Sequence, residues 1–256
     1  MPRLLTEQRQ RAIAEVIARD GQATVEDLCQ LFDVSPATIR RDLDDLHSQG
    51  LVHRTHGGAV RIVRAAPEPP ILQRAFEQAE AKRRIGVAAA ALVPEGATVC
   101  ISSGTTTLEV ARALVTRTNL TVITNALNVA STLAEAPGIT LVVVGGVLRR
   151  SELSLFGHLT EQALAELRAD IVFIGAQAIS IEHGVSADNL AEVMTDRALL
   201  SIGARRVVVA DHTKFGKFAT ARVAPLSGVH TLVTDSGLAD GMVQQLREYG
   251  VELILA

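Results

Sequence analysis

The stretch Ser35-Pro36-Ala37-Thr38-Ile39-Arg40-Arg41-Asp42-Leu43 reads as the opening of a short helix with a chemically equipped outer face. Ser35 is placed to accept a hydrogen bond from a first-turn N–H. Pro36 follows at the first helical position, where its missing N–H costs nothing. Ile39, Leu43 and Leu46 recur at helical spacing and make one apolar stripe. On a helical wheel Thr38 and Arg41 point away from that stripe and Arg40 lies on its flank. A hydroxyl and two guanidiniums on one short helix are the groups that touch phosphates and base edges. An ordinary surface helix with two solvated arginines has the same local signature, so the neighbouring sequence has to decide.

Working outward, Thr6-Glu7-Gln8-Arg9 reads as a capped start, and Asp20-Gly21 ends that helix, with Ile13, Val16 and Ile17 on one face. Thr24 caps a second helix, Val25–Phe32, with Val25, Leu28, Leu31 and Phe32 inward; Asp33-Val34 is a tight turn. The third helix, the one quoted above, stops at Gly50, which suits a left-handed C-cap. Leu51 to Arg61 reads as two short strands around a Gly57-Gly58 turn. Three helices and a hairpin, with a very short second turn, make a winged helix-turn-helix whose third helix enters the major groove. Arg54 and His56 then sit near the wing tip. The DNA-contact candidates are Ser35, Thr38, Arg40, Arg41, Arg54 and His56. Residues 1–64 hold nine Arg and nine acids, so this domain is neutral. Asp44 and Asp45, four residues beyond Arg40 and Arg41, are expected to pair with them. A neutral reader lacks the phosphate neutralisation that supplies most of the affinity, which implies a homodimer or homotetramer.

The segment Ala65-Ala66-Pro67-Glu68-Pro69-Pro70 cannot be helical and reads as a stiff joint. We place the domains at 1–64 (DNA-binding), 65–80 (Pro-containing linker leading into a helix) and 81–256 (an α/β domain for effector sensing and oligomerisation). Ile71–Val93 reads as mainly helical, with Lys82-Arg83-Arg84 as a solvated face. From residue 94, Val- and Ile-rich runs at 98–102, 120–124, 139–144, 171–175, 206–210, 231–234 and 252–255 alternate with helical patterns. That is the pattern of a doubly wound, mostly parallel sheet covered on both faces, with ligands beyond the carboxyl ends of its strands.

The loops at those ends carry the second set of candidates. Ser103, Gly104, Thr105, Thr106 and Thr107 open a helix: glycine lets the backbone approach, hydroxyls donate, and the helix N-terminus favours anions. A plain Ser/Thr cap is the alternative. Asn125 follows the second strand, Gly146 and Arg149 follow the third, and Lys214 follows the fifth. Gly, hydroxyls and single cations suit an anionic polyol.

Several of these motifs together resemble the DeoR-type bacterial repressors: Arg9-Gln10-Arg11-Ala12-Ile13, Thr38-Ile39-Arg40-Arg41-Asp42-Leu43, the Arg54-to-Ala59 wing, Ser103-Gly104-Thr105-Thr106-Thr107 and Gly145-Gly146-Val147-Leu148-Arg149. The resemblance covers nearly the whole chain. It implies an effector domain similar in fold to ribose-5-phosphate isomerase, sensing a phosphorylated sugar or related metabolite, with Glu192 as a retained acid and Lys82 as a usual lysine. The chain departs from the family pattern at Ser102, Gln177 and Ser180, where acids are usual, and at Asp196, where a lysine is frequent. Without the loop carboxylates at 177 and 180, isomerase chemistry lacks its general base.

Composition narrows the remainder. Net charge is −3, and there is no Trp and one Tyr, which argues against single-strand binding by base stacking. Cys29 and Cys100 form no metal-ligand spacing, and we expect no metal and no cofactor. Neither a signal-peptide core nor a membrane-length run is present, so a cytoplasmic protein without membrane attachment is expected. The expected function is therefore a regulator that represses carbohydrate-metabolism genes, with operator DNA and a phosphorylated sugar or polyol as its expected partners. Two alternatives stand beside it: an isomerase-like enzyme with an appended DNA-binding domain, and a DNA-binding protein with no small-molecule effector. Coupling between the domains is expected to run through the Pro67–Pro70 joint and the helix after it.

Overall fold

Ser35 does cap the third helix: its Oγ accepts from the Thr38 N–H at 3.3 Å, and Pro36 occupies the first turn of Pro36–Ser48. The computed structural model describes residues 5–55, 57–61 and 63–256 and divides the chain into two compact units, Met1–Val63 and Arg64–Ala256. In the first unit the helices Thr6–Asp20, Val25–Phe32 and Pro36–Ser48 enclose Ile13, Ile17, Leu28, Ile39, Leu43 and Leu46, all at most 2% exposed. Asp33 takes the left-handed conformation (φ 51°) that an Asp tolerates in a tight turn. Gly50 (φ 68°) closes the third helix as expected.

Four details of this unit differ from the sequence expectation. Thr6 is the first helical residue and does not cap; instead Gln8 Oε1 accepts from the Leu5 N–H at 3.4 Å. Leu31, expected inward, is 55% exposed. The hairpin pairs Val52–Thr55 with Gly58–Arg61, with Thr55 opposite Gly58, so Gly58 is a strand residue. A third strand, Gln22–Thr24, pairs with the other side of Gly58–Arg61. Gly58 is required there, because a Cβ would lie 2.1 Å from the Ala23 carbonyl oxygen.

In the second unit seven strands, counted among the described residues, form one wholly parallel sheet. Its order is Glu252–Leu255, Thr231–Thr234, Gly203–Val209, Ala169–Ile174, Thr98–Ile101, Leu120–Thr124, Ile139–Val143. Alternate residues face opposite sides, and both sides are buried. Val99, Ile101, Ile171, Phe173, Val207 and Val209 pack under the helices Ala79–Ala90, Thr105–Leu114 and Leu127–Leu133. Cys100, Val172, Ile174 and Val208 pack under His158–Ala165, Leu190–Ser201 and Asp240–Tyr249. In chain order the first strand of this sheet sits beside the fourth, so the direction of winding reverses between Thr98–Ile101 and Ala169–Ile174. A crevice forms at such a switch point, beyond the strand ends.

The helical reading of Ile71–Val93 needs correction. The helix Ile71–Arg74 is separated from Ala79–Ala90 by a break at Gln78 (φ 49°). Lys82 is not on a solvated face. It is 4% exposed and donates to the Arg74 carbonyl at 2.7 Å. The unit also holds two small antiparallel sheets: the hairpin Val147–Arg149 with Ser154–Phe156, and Ala178–Ser180, Gly184–Ala187 and Ala221–Ala224.

Candidate functional site

The third helix, Pro36–Ser48, is held from behind by a buried ion pair. Arg9 Nε meets Asp42 Oδ2 at 2.6 Å and Arg9 Nη2 meets Asp42 Oδ1 at 3.0 Å, with Asp42 only 2% exposed. The two carboxylates expected to pair with Arg40 and Arg41 are used elsewhere. Asp44 takes Arg54 at 3.0 Å, and Asp45 accepts from Gln10 at 2.9 Å. Arg40 and Arg41 are exposed, and among the described residues neither has a hydrogen bond or ion pair. Ser35 Oγ and Thr38 Oγ1 lie 2.9 Å apart and are bonded to one another. Arg54 also donates to the Gly58 carbonyl at 3.2 Å, so its guanidinium lies against the third helix and the strand Gly58–Arg61. His56 lies outside the described residues.

In the second unit a cavity of about 390 Å³ occupies the switch point. Its floor is the loop after Thr98–Ile101, from Ser102 to Thr106, facing Gly175, Ala176 and Gln177 after Ala169–Ile174. The helix Thr105–Leu114 begins at Gly104 (φ 147°) with no side-chain cap, so its first-turn N–H groups have no partner of that kind. The plain Ser/Thr cap is therefore not what this loop is. Arg149, at the end of the Val147–Arg149 strand, reaches Glu192, which also accepts from Ser154 Oγ at 2.5 Å. Asn189 caps the helix that carries Glu192, accepting from the Ala191 N–H at 3.1 Å. Asp196 stands one turn further along the same helix. Lys214 enters from a short 3-10 turn and pairs with Glu68. Arg74 Nη1 meets the same Glu68 at 3.1 Å, and Arg74 also pairs with Glu152.

The cavity thus gathers Ser103, Gly104, Thr105, Thr106, Arg149, Glu192 and Lys214 from the sequence candidates. Three others stand outside it, each held by the fold. Thr107 is fully buried and its Oγ1 donates back to the Gly104 carbonyl at 3.0 Å. Asn125 Nδ2 donates to the Leu155 carbonyl at 3.0 Å. Gly146 packs against Thr160, whose Oγ1 lies 2.0 Å from where a Cβ would be. Conversely, Glu68, Arg74, Glu152 and Asp188 line the cavity without having been singled out. Glu68 and Arg74 lie in the joint and its first helical turn, which the sequence marks only as a spacer.

Comparison with known proteins places both units. The DeoR-like helix-turn-helix domain matches residues 9–65 and the DeoR C-terminal sensor domain matches residues 77–236. The chain belongs to the DeoR family. The transcriptional repressor AccR of Agrobacterium fabrum is 35% identical over 91% of this chain and 90% of its own length. The glycerol-3-phosphate regulon repressor of Escherichia coli is 34% identical over 97% of this chain and 98% of its own. Ribose-5-phosphate isomerase A of Neisseria gonorrhoeae aligns over 54% of each chain at 17% identity, with a TM-score of 0.40. This DeoR protein is a DNA-binding transcriptional regulator. Among its described residues no helix is long and apolar enough to cross a membrane.

Two of the places where this DeoR protein departs from its family's pattern, Gln177 and Ser180, are held by hydrogen bonds of the fold. Gln177 Nε2 donates to Asp188 Oδ2 at 2.8 Å, and Gln177 Oε1 accepts from the Asp188 N–H at 2.9 Å. Ser180 stands off the cavity and accepts from the His183 N–H at 3.1 Å. Asp196 lines the cavity and, among the described residues, has no hydrogen bond or ion pair. Burial, reinforced by the neighbouring Glu192 and opposed by Arg149, pushes its carboxyl up to about 7. Burial also raises Glu152, against the pull of Arg74. Lys82 is lowered, chiefly by burial.

Proposed function

We propose that this protein represses carbohydrate-metabolism genes and that its operator affinity is set by a phosphorylated sugar or polyol bound in the switch-point cavity. The observation that carries the reading is the uncapped start of Thr105–Leu114, opening into a cavity that also holds Arg74, Arg149 and Lys214. First-turn N–H groups and a positive helix end take the phosphate. Carboxylates and hydroxyls around the remaining volume take the sugar hydroxyls. The names of the relatives, one of them a glycerol-3-phosphate regulon repressor, agree with such a ligand.

In the DNA-binding unit, Arg40 and Arg41 are the groups that read the major groove, with Thr38 and Ser35 beside them at the helix start. Arg54 and His56 are assigned to the wing. The protein acts in the cytoplasm as a dimer or tetramer, since a neutral reader of one operator half-site needs a second copy. A thermal-shift screen of the full chain against phosphorylated sugars and polyols tests the ligand. At ~100 times its dissociation constant, a bound ligand adds about 2.7 kcal/mol of stability. Thr106→Val should abolish the shift and leave operator binding intact. A wild-type protein that no phosphorylated compound stabilises, or a Val variant that still responds, would overturn the cavity assignment.

A further inference from the structure

The joint that leads out of the DNA-binding unit is also a wall of the cavity. Pro67 and Glu68 line it. The segment is stitched to the sensor unit along its length. The Ala65 N–H donates to the Phe218 carbonyl at 2.8 Å, Gln177 Nε2 donates to the Ala66 carbonyl at 3.3 Å, and the Ile71 N–H donates to the Ser151 carbonyl at 2.8 Å. Three prolines make the middle of this segment stiff, so a displacement at Glu68 is carried along it.

Glu68 is the ionic centre of that attachment. Its carboxylate holds both Lys214 and Arg74, and Arg74 is held a second time by Glu152. Two cations face two carboxylates, and these four charges sum to zero. A phosphate drawn to Lys214 and Arg74 adds negative charge to a partly buried, balanced cluster, which is unfavourable unless a carboxylate leaves. Of the two, Glu152 is the more enclosed, with its side chain 11% exposed against 20% for Glu68. Glu68 sits on an irregular segment with solvent beside it. It is the one able to go.

We propose that Glu68 is an internal competitor of the effector. Its carboxylate occupies an anion subsite made by Lys214 and Arg74, and an anionic ligand that takes those cations releases the Ala65–Pro70 segment from the sensor unit. This rests on the reading that the cavity binds a phosphorylated ligand, and it names how occupancy reaches the chain segment that leads to the DNA-binding unit. The loop at Ser103–Thr106 holds the ligand; Glu68 reports that it is held.

The test uses inorganic phosphate as probe on the full chain, at matched ionic strength. Calorimetry compares wild type, Glu68→Gln and Thr106→Val, and hydrogen exchange follows the linker amides of the wild type. Removing the competing charge should tighten phosphate binding about tenfold, or ~1.4 kcal/mol. In the wild type, phosphate should speed exchange at Ala65. Phosphate binding that is equal in wild type and Glu68→Gln, or that leaves linker exchange unchanged in the wild type, overturns the competitor while the cavity reading stands. Binding that Thr106→Val does not weaken, or no binding at all, overturns both. The exchange measurement needs no variant, so a misfolded Glu68→Gln would not rescue the idea.

Discussion

Replacing Asp196 by Asn should change how stability depends on pH more than it changes stability itself. Asp196 lines the cavity without a partner among the described residues, and burial with Glu192 nearby moves its carboxyl from 3.8 to about 7. In the unfolded chain this group loses its proton near 3.8; in the folded chain it keeps the proton to about 7. Between those values the native state binds more protons, so stability contributed at low pH is lost as pH rises through the window. At about 1.36 kcal/mol per pH unit, the full span is worth up to ~4 kcal/mol. Asn has nearly the same volume and no charge, so the variant avoids the loss. Urea unfolding of both proteins from about pH 5 to about pH 8 should show the variant gaining on the wild type by ~2–3 kcal/mol across the range. Curves that run parallel would show that Asp196 ionises normally, and the account of its burial would fail. A phosphorylated ligand sharpens the same test. A second anion beside Asp196 raises its proton affinity further, so binding near pH 7 should take up a proton in the wild type and not in the variant.

Three further substitutions probe the DNA-binding unit. Arg41→Ala should weaken operator binding strongly at fixed salt; unchanged affinity would remove this helix from the groove. Arg9→Ala leaves Asp42 buried without its bidentate partner and should cost this unit about 3–5 kcal/mol in thermal or urea unfolding. A loss under ~1 kcal/mol would mean that water reaches the carboxylate. Gly58→Ala drives a methyl to 2.1 Å from the Ala23 oxygen, so the three-stranded sheet should come apart and operator binding with it, while the sensor unit still melts normally. A variant that binds operator as well as wild type would show that the strand contact yields without cost.

What the sequence made legible follows from which interactions are local. The Ser35 cap and Pro36 start are local, and so is the apolar stripe of Ile39, Leu43 and Leu46; all three carry over to the structure. The seven central strands are readable because strands buried on both faces have to be continuous runs of Val, Ile and Leu. Pairing between distant charges is not readable this way. Spacing favours Asp44 with Arg40 and Asp45 with Arg41, but the hairpin brings Arg54 to Asp44, and the first helix brings Gln10 to Asp45. The same limit applies to the cavity. The loop from Ser103 to Thr106 announces itself by composition, whereas Glu68 and Arg74 look like spacer residues until Lys214 and Glu152 arrive from far along the chain. Thr107, Asn125 and Gly146 carry the right chemistry in the right loops, yet the backbone uses them first.

The distribution of charge ties the two units' roles together. The first unit's arginines are largely committed: Arg9 to Asp42, Arg19 to Asp20, Arg54 to Asp44 and Arg61 to the Ala18 carbonyl. Among its described residues, Arg11, Arg40 and Arg41 alone of the arginines lack a hydrogen bond or ion pair. Each phosphate neutralised contributes about 0.9 to the salt slope of duplex binding, so one copy commands little of the sequence-independent affinity. In the dimer or tetramer proposed above, binding would depend on two such helices meeting successive groove faces together, and a modest change in their presentation would be enough to lose the operator. A switch of this kind needs a coupling of only about 1–3 kcal/mol. Exchanging one partly buried carboxylate for a ligand's phosphate, as proposed for Glu68, falls in that range. On the proposed mechanism, the weakness of the single reader is therefore what would let a small event in the sensor cavity control it.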